Sequence, residues 1–397
     1  MKKKVLALVM SVAMVSAMVA GCGSAASDAA ADAQDAAEEA VEETEEAVEE
    51  TAEDTADAAE DVAEDAADTA EDVAEDVADA AEDAVNDLAE EIKAAVPEGD
   101  YSGKTIGFCG MTLNNEYHII LANAVKKAGE ALGMKVEVQA GAVHQSVDEQ
   151  LKIIENFINT QVDGIILVPA ASQGLISALQ ECKDANIPVI NLDTQLDQTT
   201  RDTLGMDIPF YGTDNYVGGQ LVGEMVADMY PDGCKVAILR GVQGQTNDDD
   251  RYNGFLDKAG NVDLVFEQHA DWETDKGYTA IQNCLQSNDD LEVIYCENDN
   301  MGIGAYQAVE EAGKTDQIKI FSYDGVTEGL RYVVDGKFEC TCAQQPIEMG
   351  KLGVINMAKI FAGEEPEEYI DTGCKLITQD IAQETLDKTL EYAAAVE

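Results

Sequence analysis

The apolar residues of this chain form short runs separated by amphipathic stretches, beginning near residue 101 and continuing to the carboxyl end. One of these stretches has Leu151, Ile154, Phe157 and Ile158 at spacings that place them on one face of a helix. Short apolar strands separated by about ten to fifteen helical residues indicate βαβ units, and hence an α/β fold with parallel sheets covered on both faces. The predicted strands are Thr105–Cys109, Lys135–Gln139, Gly164–Val168, Pro188–Leu192, Lys235–Leu239, Leu264–Glu267, Val293–Cys296, Lys319–Ser322 and Glu339–Ala343.

The first 22 residues have a different pattern. Three lysines precede an unbroken apolar run, Val5–Ala17, and the run is followed by small residues that end at Gly21 and Cys22. A basic start and a short apolar core predict a secretory signal that is too short for a permanent membrane span. The ending resembles a bacterial lipobox, which predicts lipidation of Cys22 and attachment to the outer face of the cell membrane.

Residues 23–100 form an acidic segment built almost entirely from Ala, Glu, Asp, Thr and Val. It contains 31 acidic residues and a single basic one, Lys93, and so supplies about half of the net charge of −56. An eleven-residue repeat covers Ala52–Val62, Ala63–Val73 and Ala74–Ala84. This period permits a coiled-coil stalk, but the density of carboxylates favours a solvated, self-repelling spacer that shares little apolar surface with the rest. The same charge excludes nucleic acid and anionic lipid as partners of the segment.

The body after residue 100 has about 297 residues, which is more than one core usually takes and therefore predicts two lobes. It contains eight cysteines without a C-x-x-C pair, mostly within apolar runs. A disulfide framework is the usual expectation for an exported protein. Their scatter over a long chain instead favours reduced cysteines that act as small buried hydrophobes.

Polar side chains follow nearly every predicted strand, at the edge where parallel sheets place their ligands. Most of these loops contain a carboxylate, an amide or a guanidinium, and several contain an aromatic ring. The set lacks a nucleophile with a base, a metal cluster and a phosphate loop. Carboxylates and amides that bind hydroxyls, beside rings that cover C–H faces, suit an uncharged polyhydroxyl ligand. The loops are 112–118, 193–194, the polar loop ending at Arg251, 271–272, 297–299, 323–325 and 343–345.

From Lys104 to about Thr378 the body resembles the ribose/galactose-type periplasmic sugar-binding proteins of ABC importers, the type 1 periplasmic binding fold. The resemblance depends on several motifs together: T-L-N-N-E-Y-H at 112–118, N-I-P-V-I-N-L-D at 186–193, Y-G-T-D-N at 211–215, R-Y-N-G-F at 251–255, E-N-D-N-M at 297–301 and Y-D-G at 323–325. It implies two Rossmann-like lobes joined by a three-stranded hinge that close around one sugar.

The resemblance also implies the lobe boundaries and the site residues. The amino-terminal lobe is expected at 101–213 and 345–372, and the carboxy-terminal lobe at 214–344 and 373–397, with crossovers near 213–214, 344–345 and 371–373. The implied sugar-binding residues are Asn115, Tyr117, His118, Asp193, Arg251, Trp272, Asn298, Asp324 and Gln344. The implied partners are a monosaccharide and a membrane permease with its ATPase, and the body is expected to be monomeric.

Two departures from the family pattern argue against copying a ribose site. Ribose binders have two aromatic residues where this chain has Tyr117 and His118, and an arginine where it has Thr194. The calcium loop of galactose-type relatives is not visible around 231–233, so no metal and no cofactor are expected. The paired glycines Gly218 and Gly219 are interpreted as sites of close helix packing, not of phosphate binding.

The sequence therefore predicts a lipid-anchored solute receptor without catalysis. The same fold also serves receptors for an autoinducer-type furanose or a nucleoside, some of which feed a sensor. A surface glycosidase that uses Asp193 and Asp324 is the enzymatic alternative, but neither acid lies in an evidently apolar context that would raise its pKa. The export signal excludes the transcriptional repressors that share this body.

Overall fold

The computed structural model describes residues 89–396, with side chains through residue 390. The signal peptide, Cys22 and the acidic repeats lie outside the described residues. Across the described range, no helix combines the length and the apolar character that a membrane crossing needs.

Strands and helices alternate along the body, as the apolar pattern predicts. The strands are β1 (Thr105–Thr112), β2 (Lys135–Gly141), β3 (Gly164–Leu167), β4 (Val189–Leu192), β5 (Phe210–Gly212), β6 (Cys234–Arg240), β7 (Val262–His269), β8 (Val293–Cys296), β9 (Lys319–Asp324), β10 (Cys340–Ala343), β11 (Tyr369–Asp371) and β12 (Lys375–Thr378). The helices are α1 (Glu116–Ala131), α2 (Val147–Asn159), α3 (Ile176–Asp184), α4 (Gln198–Leu204), α5 (Asn215–Met229), α6 (Thr246–Lys258), α7 (Thr274–Leu285), α8 (Asp299–Glu311), α9 (Thr327–Val334), α10 (Pro346–Phe361) and α11 (Gln379–Val396).

The strands form two six-stranded sheets, one in each lobe. The sheet of the amino-terminal lobe has the order β11-β5-β4-β3-β1-β2 and is parallel throughout. The sheet of the carboxy-terminal lobe has the order β12-β10-β9-β8-β6-β7, in which only β12 is antiparallel to its neighbour. This architecture confirms the predicted α/β fold with two lobes.

Both sheets are covered on their two faces, which explains why their central strands are buried and mostly apolar. All four residues of β3 and of β4 are buried, and core clusters lie on either side of each sheet. Helix α2 presents Ile154 and Phe157 to its sheet, and both are fully buried. A Cβ at Gly107 would lie 2.7 Å from the Phe157 ring, so this glycine permits the close approach of helix and strand.

The chain passes between the two sheets in three places among the described residues. It leaves β5 for α5 at residues 213–214, leaves β10 for α10 at 344–345, and connects β11 with β12 through 372–374. Helix α10 therefore packs against α1 in the amino-terminal lobe, while α11 packs against α9 in the other. The cleft between the lobes faces the carboxyl ends of both sheets, where the candidate side chains lie.

Residues 89–95 form a helix that packs against the amino-terminal lobe. Ile92 is 0 % exposed and belongs to the same core cluster as Tyr101, and the Glu91 carboxylate lies 2.7 Å from Lys351 Nζ. The Tyr101 hydroxyl donates to the Pro97 carbonyl at 2.8 Å. The expectation that the spacer shares little apolar surface with the body is therefore wrong for residues 89–100. Composition alone assigns these residues to the spacer. The side chain of Ile92 lies in the core of the amino-terminal lobe, however, and attaches them to the body.

Candidate ligand-binding cleft

A cavity lies between the lobes, and all nine residues implied by the sequence line it. The amino-terminal lobe supplies Asn115, Tyr117, His118 and Asp193, and the others come from the carboxy-terminal lobe and the second crossover: Arg251, Trp272, Asn298, Asp324 and Gln344. Each of the nine is at most 7 % exposed. The structure thus brings together every candidate, while their role in binding a sugar stays a prediction.

Arg251 is the most constrained side chain of the cavity. Its Nε donates to Asn215 Oδ1 at 2.8 Å, and its Nη1 donates to the Glu297 carbonyl at 2.5 Å and to Asp324 Oδ1 at 3.0 Å. The guanidinium stacks 3.8 Å from the centroid of the Tyr323 ring. A Cβ at Gly219 would collide with the Arg251 carbonyl oxygen, so this glycine of α5 lets α6 approach and position the arginine. This is the close packing that the sequence predicts for the glycine pair.

Asp324 and Gln344 complete the charged side of the cavity. Gln344 Nε2 donates to Asp324 Oδ1 at 2.7 Å, so both partners of this carboxylate contact the same oxygen. Oδ2 of Asp324 and Nη2 of Arg251 take no part in these bonds. A carboxylate oxygen and a guanidinium nitrogen with remaining hydrogen-bond capacity are therefore available to a ligand.

Asp193 is held by two hydroxyl groups of the amino-terminal lobe. Tyr117 donates to Asp193 Oδ1 at 2.9 Å, and Thr194 donates to Oδ2 at 3.0 Å. Tyr117 thus acts through its hydroxyl as well as through its ring. Asn115 caps α1 by accepting from the backbone N–H of Tyr117 at 2.8 Å, which fixes the start of the helix beside the cavity.

Trp272 and Asn298 occupy adjacent loop positions in the carboxy-terminal lobe. The Trp272 ring packs on Gly241, where any Cβ would collide with it. Asn298 Oδ1 caps α8 through the N–H of Met301 at 2.9 Å, and Nδ2 donates to the Trp272 carbonyl at 3.3 Å. Asn298 is therefore a helix cap as well as a lining residue, and it supports the loop that presents the ring.

Left-handed backbone geometry concentrates around the cavity. Asp193 has φ of 61°, Trp272 of 66°, Asp324 of 104° and Asp271 of 53°. Non-glycine residues rarely adopt such angles, and strain of this kind costs on the order of 1–3 kcal/mol at each position. Three of these four residues line the cavity, so the fold tolerates strain where it directs side chains into the cleft.

Several buried polar atoms that have no hydrogen-bond partner belong to residues that line the cavity. Among the described side chains, His118 Nδ1, His144 Nε2 and Asn247 Oδ1 are buried without a hydrogen bond, and all three residues line the cavity. The two imidazole rings lie 5.7 Å apart between centroids. Buried polar atoms are normally satisfied, so three such atoms around one space indicate a polar occupant.

Burial controls the charges of these groups. It lowers the pKa of His118 to about 4, with help from the charge of Arg251, and the pKa of His144 to about 3. It raises the pKa of Asp193, and that of Asp324 to about 6, although Arg251 acts in the opposite direction on both. The expectation that neither acid lies in surroundings that raise its pKa is therefore wrong. At neutral pH the cavity therefore contains two carboxylates, one guanidinium and two neutral imidazoles.

Three lining residues were not selected from the sequence: Met111, His144 and Asn247. His144 follows β2, and the rule that every strand-end loop contributes a side chain would have found it. Asn247 lies in the first turn of α6, within the polar loop that precedes Arg251. Met111 is an apolar residue near the end of β1, and nothing in its local sequence distinguishes it from a core residue.

No arrangement of His, Cys, Asp and Glu in the described range could hold a metal ion.

Two α/β lobes that enclose a polar cavity between the carboxyl ends of their sheets define the class of two-lobed solute-binding proteins. The comparisons with known proteins agree with this class. Residues 106–365 match the model of the periplasmic binding protein domain family. The chain therefore belongs to the periplasmic binding proteins, and its relatives place it among the type 1 sugar-binding members.

The similar proteins that support this assignment cover most of the body. The chain is 31 % identical to the ribose import binding protein of Bacillus subtilis, over 69 % of this chain and 87 % of that protein. It is 30 % identical to a D-ribose/D-allose-binding protein of Pseudomonas aeruginosa, over 67 % and 86 %. The crystal structure of an ABC transporter solute-binding protein from Actinobacillus succinogenes with bound D-allose superposes with a TM-score of 0.68 at 29 % identity, covering 71 % of this chain and 99 % of that one.

Proposed function

We propose that this protein is an exported, lipid-anchored solute-binding protein that captures one monosaccharide between its lobes and delivers it to an ABC importer. The observation that supports this most directly is the inter-lobe cavity with three unpartnered buried polar atoms.

The chemistry of the lining favours an uncharged polyhydroxyl ligand. Asp324 Oδ2, Arg251 Nη2 and the two imidazoles offer acceptors and donors to hydroxyls, and the Trp272 ring offers an apolar face. Two carboxylates against one guanidinium repel a phosphate group, so we expect the unphosphorylated sugar. The similar proteins point the same way, since they include binders of ribose, allose and galactofuranose.

Capture follows from contacts made by both lobes. A ligand that binds Asp193 on one side and Arg251 on the other interacts with both lobes only when they are closed, and so shifts the population toward the closed form. The closed form would then be the state that a permease with its ATPase recognises. We expect these residues to bind the sugar without turning it over.

A thermal-shift screen identifies the ligand. The purified body is melted with D-ribose, D-allose, galactose, arabinose, fructose, a nucleoside and ribose 5-phosphate. We expect one or a few unphosphorylated monosaccharides to raise the melting temperature, because a ligand that binds only the native state stabilises it. Asp193→Ala should remove the shift while the protein still melts cooperatively. A body that responds to none of these sugars contradicts the proposal, and cleavage of a sugar conjugate that stops in Asp193→Ala would replace it with the glycosidase.

The anchor is tested separately, because it depends on the sequence alone. Cys22→Ser should move the exported protein from the membrane fraction to the medium. Cys374→Ser, which changes a cysteine of the body, is the matched control and should remain with the membrane. Equal distribution of Cys22→Ser and the parent would contradict lipidation.

A further inference from the structure

A short segment of the carboxy-terminal lobe crosses the cleft and contacts the opposite lobe. This closing segment, residues 244–247, consists of the end of the loop that follows β6 and the first two residues of α6. Gln245 Nε2 donates to the Ala170 carbonyl at 2.8 Å, the Thr246 N–H donates to Ser172 Oγ at 2.9 Å, and Asn247 Nδ2 donates to Thr194 Oγ1 at 3.3 Å. These bonds join the lobes directly and need no ligand atom, so they exist only when the lobes are closed.

Gln245, which does not line the cavity itself, contacts a residue that does. Its Oε1 accepts from Trp272 Nε1 at 2.7 Å, and its side chain is fully buried, at 0 % exposure. The acceptor end of the amide is thus used within its own lobe, and the donor end is used across the cleft. The indole N–H fixes which end of the amide faces Ala170, because an N–H can only be met by the amide oxygen.

The receiving side of this contact is rigid. The Ala170 N–H donates to Gln150 Oε1 at 2.7 Å, and Gln150 Nε2 donates to the carbonyls of Gly110 at 2.9 Å and Val168 at 2.8 Å. Gln150 is also fully buried, but its bonds all lie within the amino-terminal lobe. The Ala170 carbonyl is therefore held in place before the lobes meet.

We infer that Gln245 is a positioning residue that links the contact between Trp272 and the sugar to the closure of the lobes. A sugar that covers the Trp272 ring fixes the indole, the indole fixes the amide of Gln245, and the amide meets the Ala170 carbonyl. Gln245 lines no part of the sugar cavity, so its contribution is to the stability of the closed form and not to the choice of sugar. This inference rests on the proposed function, since it concerns the same cleft.

The test replaces Gln245 with glutamate, which keeps the acceptor for Trp272 and removes the donor for Ala170. Titration at pH 7.5 with D-allose and D-ribose, followed through the fluorescence of the single tryptophan, should show five- to tenfold weaker binding of whichever sugar the parent binds, about the effect of one hydrogen bond. Stopped-flow traces should place the change in dissociation, because the closed form opens faster, while association stays near the parental rate.

The pH profile separates positioning from a purely structural role. A protonated glutamate can donate to the Ala170 carbonyl, so the affinity ratio between parent and Gln245→Glu should shrink as the pH is lowered. Gln245→Leu can neither donate to Ala170 nor accept from Trp272, so its affinity should not recover as the pH is lowered. The sugar-free melting temperature of Gln245→Glu should match the parent, since the bond to Ala170 is absent from the open form and the acceptor for Trp272 is kept.

Gln150→Glu provides the matched control, because it makes the same chemical change at an equally buried glutamine within one lobe. It should lower the sugar-free melting temperature. If both Gln245 variants bind and release the sugar like the parent, or if they lose sugar-free stability without faster dissociation, this inference is wrong. A parent that binds no monosaccharide overturns the proposed function together with this inference, so the two failures are distinguishable.

Discussion

The two faces of the cleft differ in how far their polar groups are satisfied before a ligand arrives. On the carboxy-terminal face, Arg251 has three hydrogen-bond partners and Asp324 has two. On the amino-terminal face, His118 and His144 each have a buried nitrogen without a partner in the described structure, whereas one such lining atom, Asn247 Oδ1, lies on the carboxy-terminal face. A buried polar atom without a partner costs about 1–3 kcal/mol, which a ligand hydroxyl can recover.

This difference suggests a division of roles between the faces. The carboxy-terminal face is a preorganised charged network that would bind hydroxyls of many sugars. The amino-terminal face contains neutral imidazoles whose ring nitrogens are left for the ligand, so it would contribute more to the choice among sugars. The departures from ribose binders, at His118 and Thr194, fall on this second face.

The largest effect is expected from Arg251→Ala. Removing the guanidinium leaves the buried carboxylates of Asp193 and Asp324 without their cation, and breaking such a buried pair costs about 3–5 kcal/mol. Calorimetry should show sugar binding at least a hundredfold weaker, together with a lower melting temperature. Arg331→Ala, which removes an arginine whose side chain is 53 % exposed, should change neither. Parental binding by Arg251→Ala would show that the charged network is structural and that the faces do not differ as described.

His144→Leu should reduce affinity by about tenfold, because the ligand loses one hydrogen bond of roughly 1–1.5 kcal/mol. The sugar-free protein should not lose stability through that nitrogen, since it has no partner to lose. His144→Gln should recover part of the affinity through its amide. Arg251→Ala is expected to lower the stability of the sugar-free protein. If His144→Leu lowers it as much, the polar groups of the amino-terminal face are as fully bonded before the sugar binds as those of the carboxy-terminal face.

The pH dependence has opposite signs for binding and for stability. Burial raises the pKa of Asp324 to about 6 from the usual 3.8, so its contribution to folding stability is complete below about pH 4 and is lost as the pH rises through 6. Burial acts in the same direction on Asp250, to about 6, and Asp299, to about 7. These three acids favour a higher melting temperature of the sugar-free body as the pH is lowered from 8 to about 5.5, whereas the buried neutral His118 and His144 oppose it below about pH 6.5, where the unfolded chain takes up protons on them.

Sugar affinity should move the other way. Hydroxyls donate to the ionised carboxylate of Asp324, so bound sugar lowers its pKa and binding releases a proton near pH 6. Affinity should be constant above about pH 7 and fall a few-fold by pH 5. Asp324→Asn should bind more weakly at every pH and lose most of this slope. An unchanged slope in that variant would assign the titration to a different group.

The spacing of apolar runs was sufficient to predict most of the fold. Each of the nine predicted strands overlaps an observed one, from β1–β4 and β6–β10. The strands that were missed, β5, β11 and β12, have three or four residues each and form through pairing at the sheet edges near the crossovers, as Tyr369 with Phe210 shows. None of the three contains the run of apolar residues that identified β3, β4 and β8, which also have four residues each, so only the tertiary context defines them.

The site was predictable where function depends on a residue at a strand end, and not where it depends on contact between distant segments. Asp193 and Asp324 follow strands and could be found by position. Gln245 contacts Ala170, 75 residues away in sequence, from the other lobe. Nothing in the local pattern of residues 241–250 distinguishes Gln245 from an ordinary polar loop residue.

The last prediction separates the core of the amino-terminal lobe from its cleft face, and its expected effect on binding is the smallest. Ile92→Ala should lower the free energy of unfolding by about 2–4 kcal/mol, because it empties a fully buried position, while sugar affinity stays within twofold of the parent. Lys93→Ala, at an exposed neighbouring position, should stay within about 0.5 kcal/mol of the parent.

Deleting residues 23–88 should preserve the stability of the body, and deleting residues 23–97 should lower it. If Ile92→Ala and the longer deletion both unfold like the parent, the spacer extends to residue 100, as composition alone indicates, and the helix at 89–95 contributes nothing to the lobe that carries the histidines.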